Sequence, residues 1–163
     1  MKTTTKKYIN KHGEKVVDEF NENKKIIKRT YYRFNSQNID YINDYNKNEK
    51  LVKKTYYYSD GKTINEIEDY NENEKLVKRT NYWSNGKIIR LINEYNKNKK
   101  LIKQTFYKLD GKNIWGIYEY DENEDLIKQT YYNPDEIKTI TEYNPDKTIK
   151  NVITYNPDGT IKN

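Results

Sequence analysis

Apolar residues in this chain come in short runs that open on an aliphatic residue and close six positions later on an aromatic one, as in Leu51 to Tyr57 and Ile64 to Tyr70. Polar, turn-forming segments separate the runs. The runs are rich in Ile, Val, Thr and Tyr and show no apolar stripe at helical spacing, so they predict β-strands of seven or eight residues. The pattern then repeats. Phe20, Tyr45, Tyr70, Tyr95 and Tyr120 stand 25 residues apart. With them recur an aliphatic residue (Ile26, Leu51, Leu76, Leu101, Leu126), a lysine (Lys28, Lys53, Lys78, Lys103, Lys128), a threonine (Thr30, Thr55, Thr80, Thr105, Thr130) and a tyrosine (Tyr32, Tyr57, Tyr82, Tyr107, Tyr132).

Each unit divides into halves of 13 and 12 residues, and the shorter half recurs at the C-terminus, from Ile137 to Tyr143 and Ile149 to Tyr155. The spacing predicts one repeat domain over 1–163, with an N-terminal cap at 1–19, five repeats over 20–142, and half-repeats with a cap over 143–163. Turn chemistry marks the junctions. Ser59-Asp60-Gly61, Ser84-Asn85-Gly86, Leu109-Asp110-Gly111 and Asn156-Pro157-Asp158-Gly159 place glycine where a tight reversal needs a left-handed residue. The alternate junctions, such as Asn46-Lys47-Asn48-Glu49, are Asn-rich and tolerate turn conformations.

Hairpin-length connections require antiparallel neighbours, since a parallel pair needs a long crossover. Alternation along Leu51–Tyr57 puts Leu51, Lys53, Thr55 and Tyr57 on one face and Val52, Lys54 and Tyr56 on the other, so both faces are mixed. In the partner half, Ile64 and Tyr70 share a face opposite Ile67 unless a bulge intervenes. A closed barrel or sandwich would segregate apolar from polar faces. The expected fold is therefore all-β: an elongated antiparallel meander of about fourteen short strands built from 25-residue double-hairpin repeats. Single-layer and superhelical forms both fit the pattern.

Composition explains why no thick core is expected. Ile, Leu, Val and Phe supply 33 of 163 residues, and 18 Tyr carry much of the remaining apolar surface. There is no cysteine, so no disulfide or thiolate metal site can form. The start, Met1 to Lys7, is basic and polar with no apolar stretch for a secretory signal or a membrane span. No membrane insertion is expected.

The run Tyr155 to Ile161 (Tyr-Asn-Pro-Asp-Gly-Thr-Ile), the earlier run Tyr143 to Ile149, and Leu51 to Ile64 resemble the tandem repeats of a phytoplasma protein family of unknown function. The resemblance covers 20–163. It implies a wall-less bacterial parasite of plants and insects, in which a soluble repeat protein is often secreted into the host cell. With a signal peptide removed, the protein would act in that cell; without one, it would stay in the bacterial cytoplasm. Fainter resemblances run to the tyrosine-aspartate repeats of toxin shells, to membrane-occupation-type repeats and to antitoxin-like Asn-Gly hairpin repeats. Those carry glycine in nearly every turn, and this chain does not.

Catalytic chemistry is sparse, and no enzyme is expected. His12, the single histidine, sits beside Gly13 in a turn, and Ser36, Ser59 and Ser84 lie in the corresponding turns of successive repeats with no base alongside. Asp121, Asn123 and Asp125 have the alternate spacing that opens a calcium loop, but Leu126 stands where glycine belongs and Tyr132 where the closing glutamate belongs. No cofactor or metal is expected. A nucleic-acid partner is disfavoured by charge placement: 95–119 holds six lysines against Asp110 and Glu119, whereas 120–142 holds seven acidic residues against Lys128 and Lys138. The lysine column has a plainer role opposite the acidic column Asp44, Asp69, Glu94, Glu119 and Glu142 on alternate strands, as cross-strand pairs and edge protection, while the end strands of an open sheet leave edge-to-edge self-association as a further partner mode.

Residues that depart from their own repeat column are not required by the scaffold. Trp83 stands where other repeats have Arg33, Tyr58 and Lys108, and Trp115 where they have Asp40, Asn65 and Arg90. Leu91 aligns with Tyr41, Glu66 and Gly116; Leu109 aligns with Phe34, Ser59 and Ser84. Together with Tyr56, Phe106 and Tyr131 these are the candidate anchors for a partner. Local packing against Gly116, or drift in a tolerant sheet, is the competing explanation. The expected function is a non-enzymatic recognition scaffold, a secreted effector that binds a host protein. A glycan- or nucleic-acid-binding module and a structural shell are the alternatives.

Overall fold

The structure, a computed structural model, describes residues 3–133 and 138–162. Among the described residues there is no helix, and thirteen strands follow one another in chain order in one antiparallel sheet. They are β1 (Thr4–Ile9), β2 (Lys15–Phe20), β3 (Ile26–Tyr32), β4 (Ile39–Tyr45), β5 (Leu51–Tyr57), β6 (Ile64–Tyr70), β7 (Leu76–Tyr82), β8 (Ile89–Tyr95), β9 (Leu101–Tyr107), β10 (Ile114–Tyr120), β11 (Leu126–Tyr132), β12 (Lys138–Tyr143) and β13 (Ile149–Tyr155). Ile137, which opens one predicted half-repeat, lies outside the described residues. After β13 the chain adds only a bridge between Tyr155 and Ile161 and a 2.7 Å bond from the Lys162 amide to the Thr154 carbonyl, which is why the strand count stops short of fourteen. Two compact units divide the chain, Met1–Lys87 and Ile88–Asn163.

Within each unit, among the described residues, a strand touches only its neighbours in the chain, so its own unit lays no second layer over either face. Stability must then come from cross-strand pairs. On one face the threonine column is central and buried. In the first unit Thr30 faces Val17 and Ile42, and Thr55 faces Ile42 and Ile67. In the second, Thr105 faces Ile92 and Ile117, and Thr130 faces Ile117 and Ile140. These are pairs of β-branched side chains, which fit the pleat and bury each other's methyl groups. Two residues along on the same face runs the charge ladder: Lys28 lies between Glu19 and Asp44, Lys53 between Asp44 and Asp69, and Lys128 between Glu119 and Glu142. Lys128 reaches Glu119 at 3.1 Å.

The opposite face of the first unit buries charge. Arg29 Nε and Nη2 donate to the two oxygens of Asp18 at 2.6 and 2.8 Å. Glu68 accepts from Arg79 Nη2 at 2.6 Å, from the Tyr70 hydroxyl at 2.6 Å and from the Tyr56 hydroxyl at 3.3 Å. A buried carboxylate is tolerated only when its lone pairs are filled, and both are. Burial pushes the Glu68 carboxyl up, but the hydrogen bonds from Tyr70, Arg79 and Tyr56 outweigh it and hold the group below its ordinary value.

Register shifts recur near the strand ends and resolve the mixed faces. Tyr56 pairs with Glu66, yet Tyr57 pairs with Ile64, so Asn65 is an extra residue. Ile64 thereby moves to the side of Thr55 and Ile67, where simple alternation placed it opposite. A second shift sets Tyr70 against Leu76.

The turns stack on one another along each sheet margin. At the Asn-rich junctions the left-handed conformation falls on Lys24, Glu49, Glu74, Lys99 and Glu124 and not on asparagine. The asparagine opens the turn instead: Asn46 Oδ1 accepts the amides of Asn48 and Lys50 at 2.9 and 3.2 Å. Glutamate is useful in that left-handed position because its side chain reaches the turn of the preceding repeat. Glu49, Glu74 and Glu124 accept from the free amides of Ile26, Leu51 and Leu101 at 3.3, 3.1 and 3.0 Å. On the other margin Gly61 has φ +67 and lies so close to the preceding turn that a Cβ would meet Ile39 N at 2.5 Å and Asn38 Cα at 2.6 Å.

Two outcomes follow from these contacts. Gly61→Ala destabilises by more than about 2 kcal/mol, the positive-φ cost plus a backbone collision, whereas Gly159→Ala, with nothing within 4 Å, costs only about 1 kcal/mol; urea unfolding of the two variants measures the difference. Glu68→Gln destabilises at neutral pH by about 2–3 kcal/mol, at the lower end for a broken buried pair because Arg79 is partly exposed. A depressed carboxyl contributes above its unfolded value and loses the contribution as pH falls through its folded value. The gap between Glu68→Gln and the parent therefore narrows as pH is lowered from neutral through the carboxylate range, as pH-dependent urea midpoints will show.

Candidate recognition surface

In the second unit a bulge builds an aromatic cluster. Tyr107 pairs with Ile114 and Phe106 with Gly116, which leaves Trp115 as the extra residue of β10. The Trp115 ring lies 5.0 Å from Phe106 of β9 and 5.9 Å from Tyr131 of β11, nearly parallel to the latter at 20°. Gly116 sits in register between Phe106 and Tyr131. Its missing side chain leaves the space between the two rings to Trp115. Tyr118, two residues along, packs against Phe106 at 5.0 Å and shares a hydroxyl–hydroxyl hydrogen bond with Tyr131. Burial and that bond push the Tyr131 hydroxyl up to about 12, so it stays protonated and able to donate. Trp115 remains 38% exposed.

Of the seven residues singled out from the sequence, the fold brings Phe106, Trp115 and Tyr131 into this cluster, with Leu91 of β8 paired to Phe106 at its margin. Leu109 lies in the β9–β10 turn and is 70% exposed. Tyr56 and Trp83 belong to the first unit. Trp83 is half-buried in the turn after β7, where its carbonyl accepts the Gly86 amide at 2.8 Å. Tyr56 ends a row in which Tyr31 stacks on Tyr41 at 4.2 Å, and Tyr41 meets Tyr56 at 5.8 Å. Lys54 Nζ stands over both Tyr41 and Tyr56, 4.1 and 4.5 Å from their ring centres.

Tyr118 was missed as a site residue. Its column holds Asn43, Glu68 and Asn93 in the other repeats, so the same departure rule that selects Trp115 also selects it. The two faces differ sharply in charge. Where the first unit has Asp18 against Arg29 and Glu68 against Arg79, the second has Asn93 against Gln104 and Tyr118 against Gln129.

The weaker sequence signals have local roles. Asp121 Oδ1 accepts the amides of Asn123 and Asp125 at 2.8 and 3.0 Å, and Asp125 pairs with Lys147 at 3.2 Å. That is the turn chemistry of Asn46. The His12 amide donates to Asn10 Oδ1 at 2.9 Å and the residue is exposed. Among the described residues no group of three or more His, Cys, Asp or Glu side chains could hold a metal ion, and no helix is long and apolar enough to cross a membrane.

No curated protein matches the chain. Among solved structures it is similar to TarM, with 15% identity and a TM-score of 0.49 over 68% of this chain and 20% of the other. It is also similar to an S. aureus TarM mutant in complex with fondaparinux, alpha-GlcNAc-glycerol and UDP (17% identity, TM-score 0.49, 68% and 21% covered). A third likeness is to the GtfA/B complex bound to UDP and GlcNAc (14%, 0.37, 53% and 21%). The chain spans about a fifth of the length of the solved chains it matches. The family model for a protein of unknown function, DUF2963, matches it four times, over residues 4–56, 57–105, 89–131 and 107–152. Those matches overlap in part and together span residues 4–152, and the chain belongs to the DUF2963 family.

Proposed function

We propose that this chain is a non-enzymatic scaffold for macromolecular recognition: a secreted effector of a phytoplasma-like bacterium whose sheet face engages a host protein. One observation carries the reading. The Trp115 cluster sets large amphipathic rings at the surface in columns that the scaffold fills elsewhere with Asp40, Asn65 and Arg90. A scaffold stabilised strand by strand has no need of an exposed tryptophan there, and such rings are the side chains that anchor interfaces. The two central columns of the cluster are uncharged, which favours a protein surface over a phosphate backbone. Retrieval of a discrete host protein by the immobilised chain, followed by titration of the purified partner, tests the proposal. Trp115→Ala is expected to weaken binding by about 10- to 100-fold while the far-ultraviolet dichroism stays that of the parent. Unchanged affinity in the double variant Trp83→Ala plus Trp115→Ala overturns the assignment.

A further inference from the structure

The second unit differs from the first in one respect that bears on its ligand: the central columns of its aromatic face hold no charge. Leu91, Phe106, Gly116 and Tyr131 follow one another in one column. Asn93, Gln104, Tyr118 and Gln129 follow in the next. Arg90, near the start of β8, stands in the repeat column that Trp115 fills in β10, and Lys108 follows the last residue of β9. The centre of the platform thus offers ring faces flanked by amides and hydroxyls, with no cation or carboxylate in these two columns and with Arg90 and Lys108 at its rim.

We infer that the Trp115 platform binds neutral hexopyranose units, carried as glycan on the host protein; the inference rests on the recognition reading above. A pyranose ring has an apolar C–H face and a rim of hydroxyls. It matches a surface that is aromatic in the middle and neutral-polar at the sides. Two donors are open for that rim. The Trp115 indole N–H and the Gln129 amide N–H2 have no protein partner among the described residues, although Gln129 Oε1 is held by the Tyr143 hydroxyl at 2.6 Å. That bond fixes the amide and aims its free nitrogen. The Tyr118–Tyr131 hydroxyl pair fixes the second ring in the same way. A rigid platform loses little side-chain entropy on binding, which weak stacking contacts require. Sugar acids and phosphates find no counter-charge in the two central columns, so a preference for neutral units follows from them.

Isothermal titration of the full chain with cellohexaose, mannohexaose and chitohexaose, and with polygalacturonate as the acidic control, tests the inference. Expected is saturable binding of at least one neutral hexamer that is insensitive to salt. Trp115→Ala should weaken it about tenfold or more, Trp115→Phe by less, and Gln129→Ala measurably. Enzymatic deglycosylation of the retrieved host protein should abolish its binding. Three results overturn the inference: no neutral hexamer binds; polygalacturonate binds as well and is released by salt; or the deglycosylated partner binds unchanged. In the last case a partner still sensitive to Trp115→Ala leaves the recognition reading standing, whereas insensitivity to Trp115→Ala overturns both.

Discussion

Among the described residues a strand within either unit has at most two neighbours to lean on, and no other strand of its unit packs on its faces. That single constraint governs the rest. With only Val16 and Val17 forming a buried hydrophobic core among the described residues, burial must be shared out along the strands. The β-branched Thr and Ile columns bury one another at the centre of one face, and the Lys and acidic columns flank them. On the other face of the first unit, Asp18 and Glu68 are buried and survive there because Arg29, Arg79 and the tyrosine hydroxyls fill their lone pairs. Removing one member leaves a buried charge with no other layer to shield it.

Nearest-neighbour stabilisation also explains the turns. A hairpin loop in a thick protein can pack its tip on a core, but here the tip has only the loop of the adjacent repeat. Glutamates at a left-handed position, which costs an ordinary residue about 1 kcal/mol, are retained because each reaches a strand-opening amide one repeat earlier. Gly61 and Gly86 answer the same demand by shape, with backbone so near the preceding turn that no side chain fits.

Much of this was legible in the sequence. The 25-residue recurrence of Tyr and Thr located the strands within a residue or two, and hairpin-length junctions forced the antiparallel order. The Lys and acidic columns predicted their own register, since opposite charges on neighbouring strands align only one way. Bulges were not legible, because an extra residue such as Asn65 or Trp115 looks like any other member of an alternating run. That is also why the faces read as mixed, with Ile64 on the wrong side. Nor was it legible which residue of an Asn-rich junction turns left-handed: it is a lysine or glutamate, because the asparagine that opens the turn commits its oxygen to two backbone amides. At the candidate site, column departure found Trp115, yet it could not show that Gly116 vacates the space the indole fills.

The bulge is where scaffold and function separate. Two residues of one strand project against one residue of its neighbour, so one of them is released from pairing. In β4 and β6 the released residues are Asp40 and Asn65, small polar groups that leave the face to the paired side chains Tyr41 and Glu66. In β10 the roles are exchanged: the paired residue is Gly116 and the released one is Trp115. The exchange leaves the ladder intact, since Ile117 still meets Thr105 and Thr130 on the opposite face. A repeat held together by its neighbours can therefore alter what one face presents, from the ionic columns of the first unit to the neutral aromatic platform of the second, without altering what holds it folded. Binding specificity in such a chain is written in the bulged and column-breaking residues, and stability in the residues that never vary between repeats.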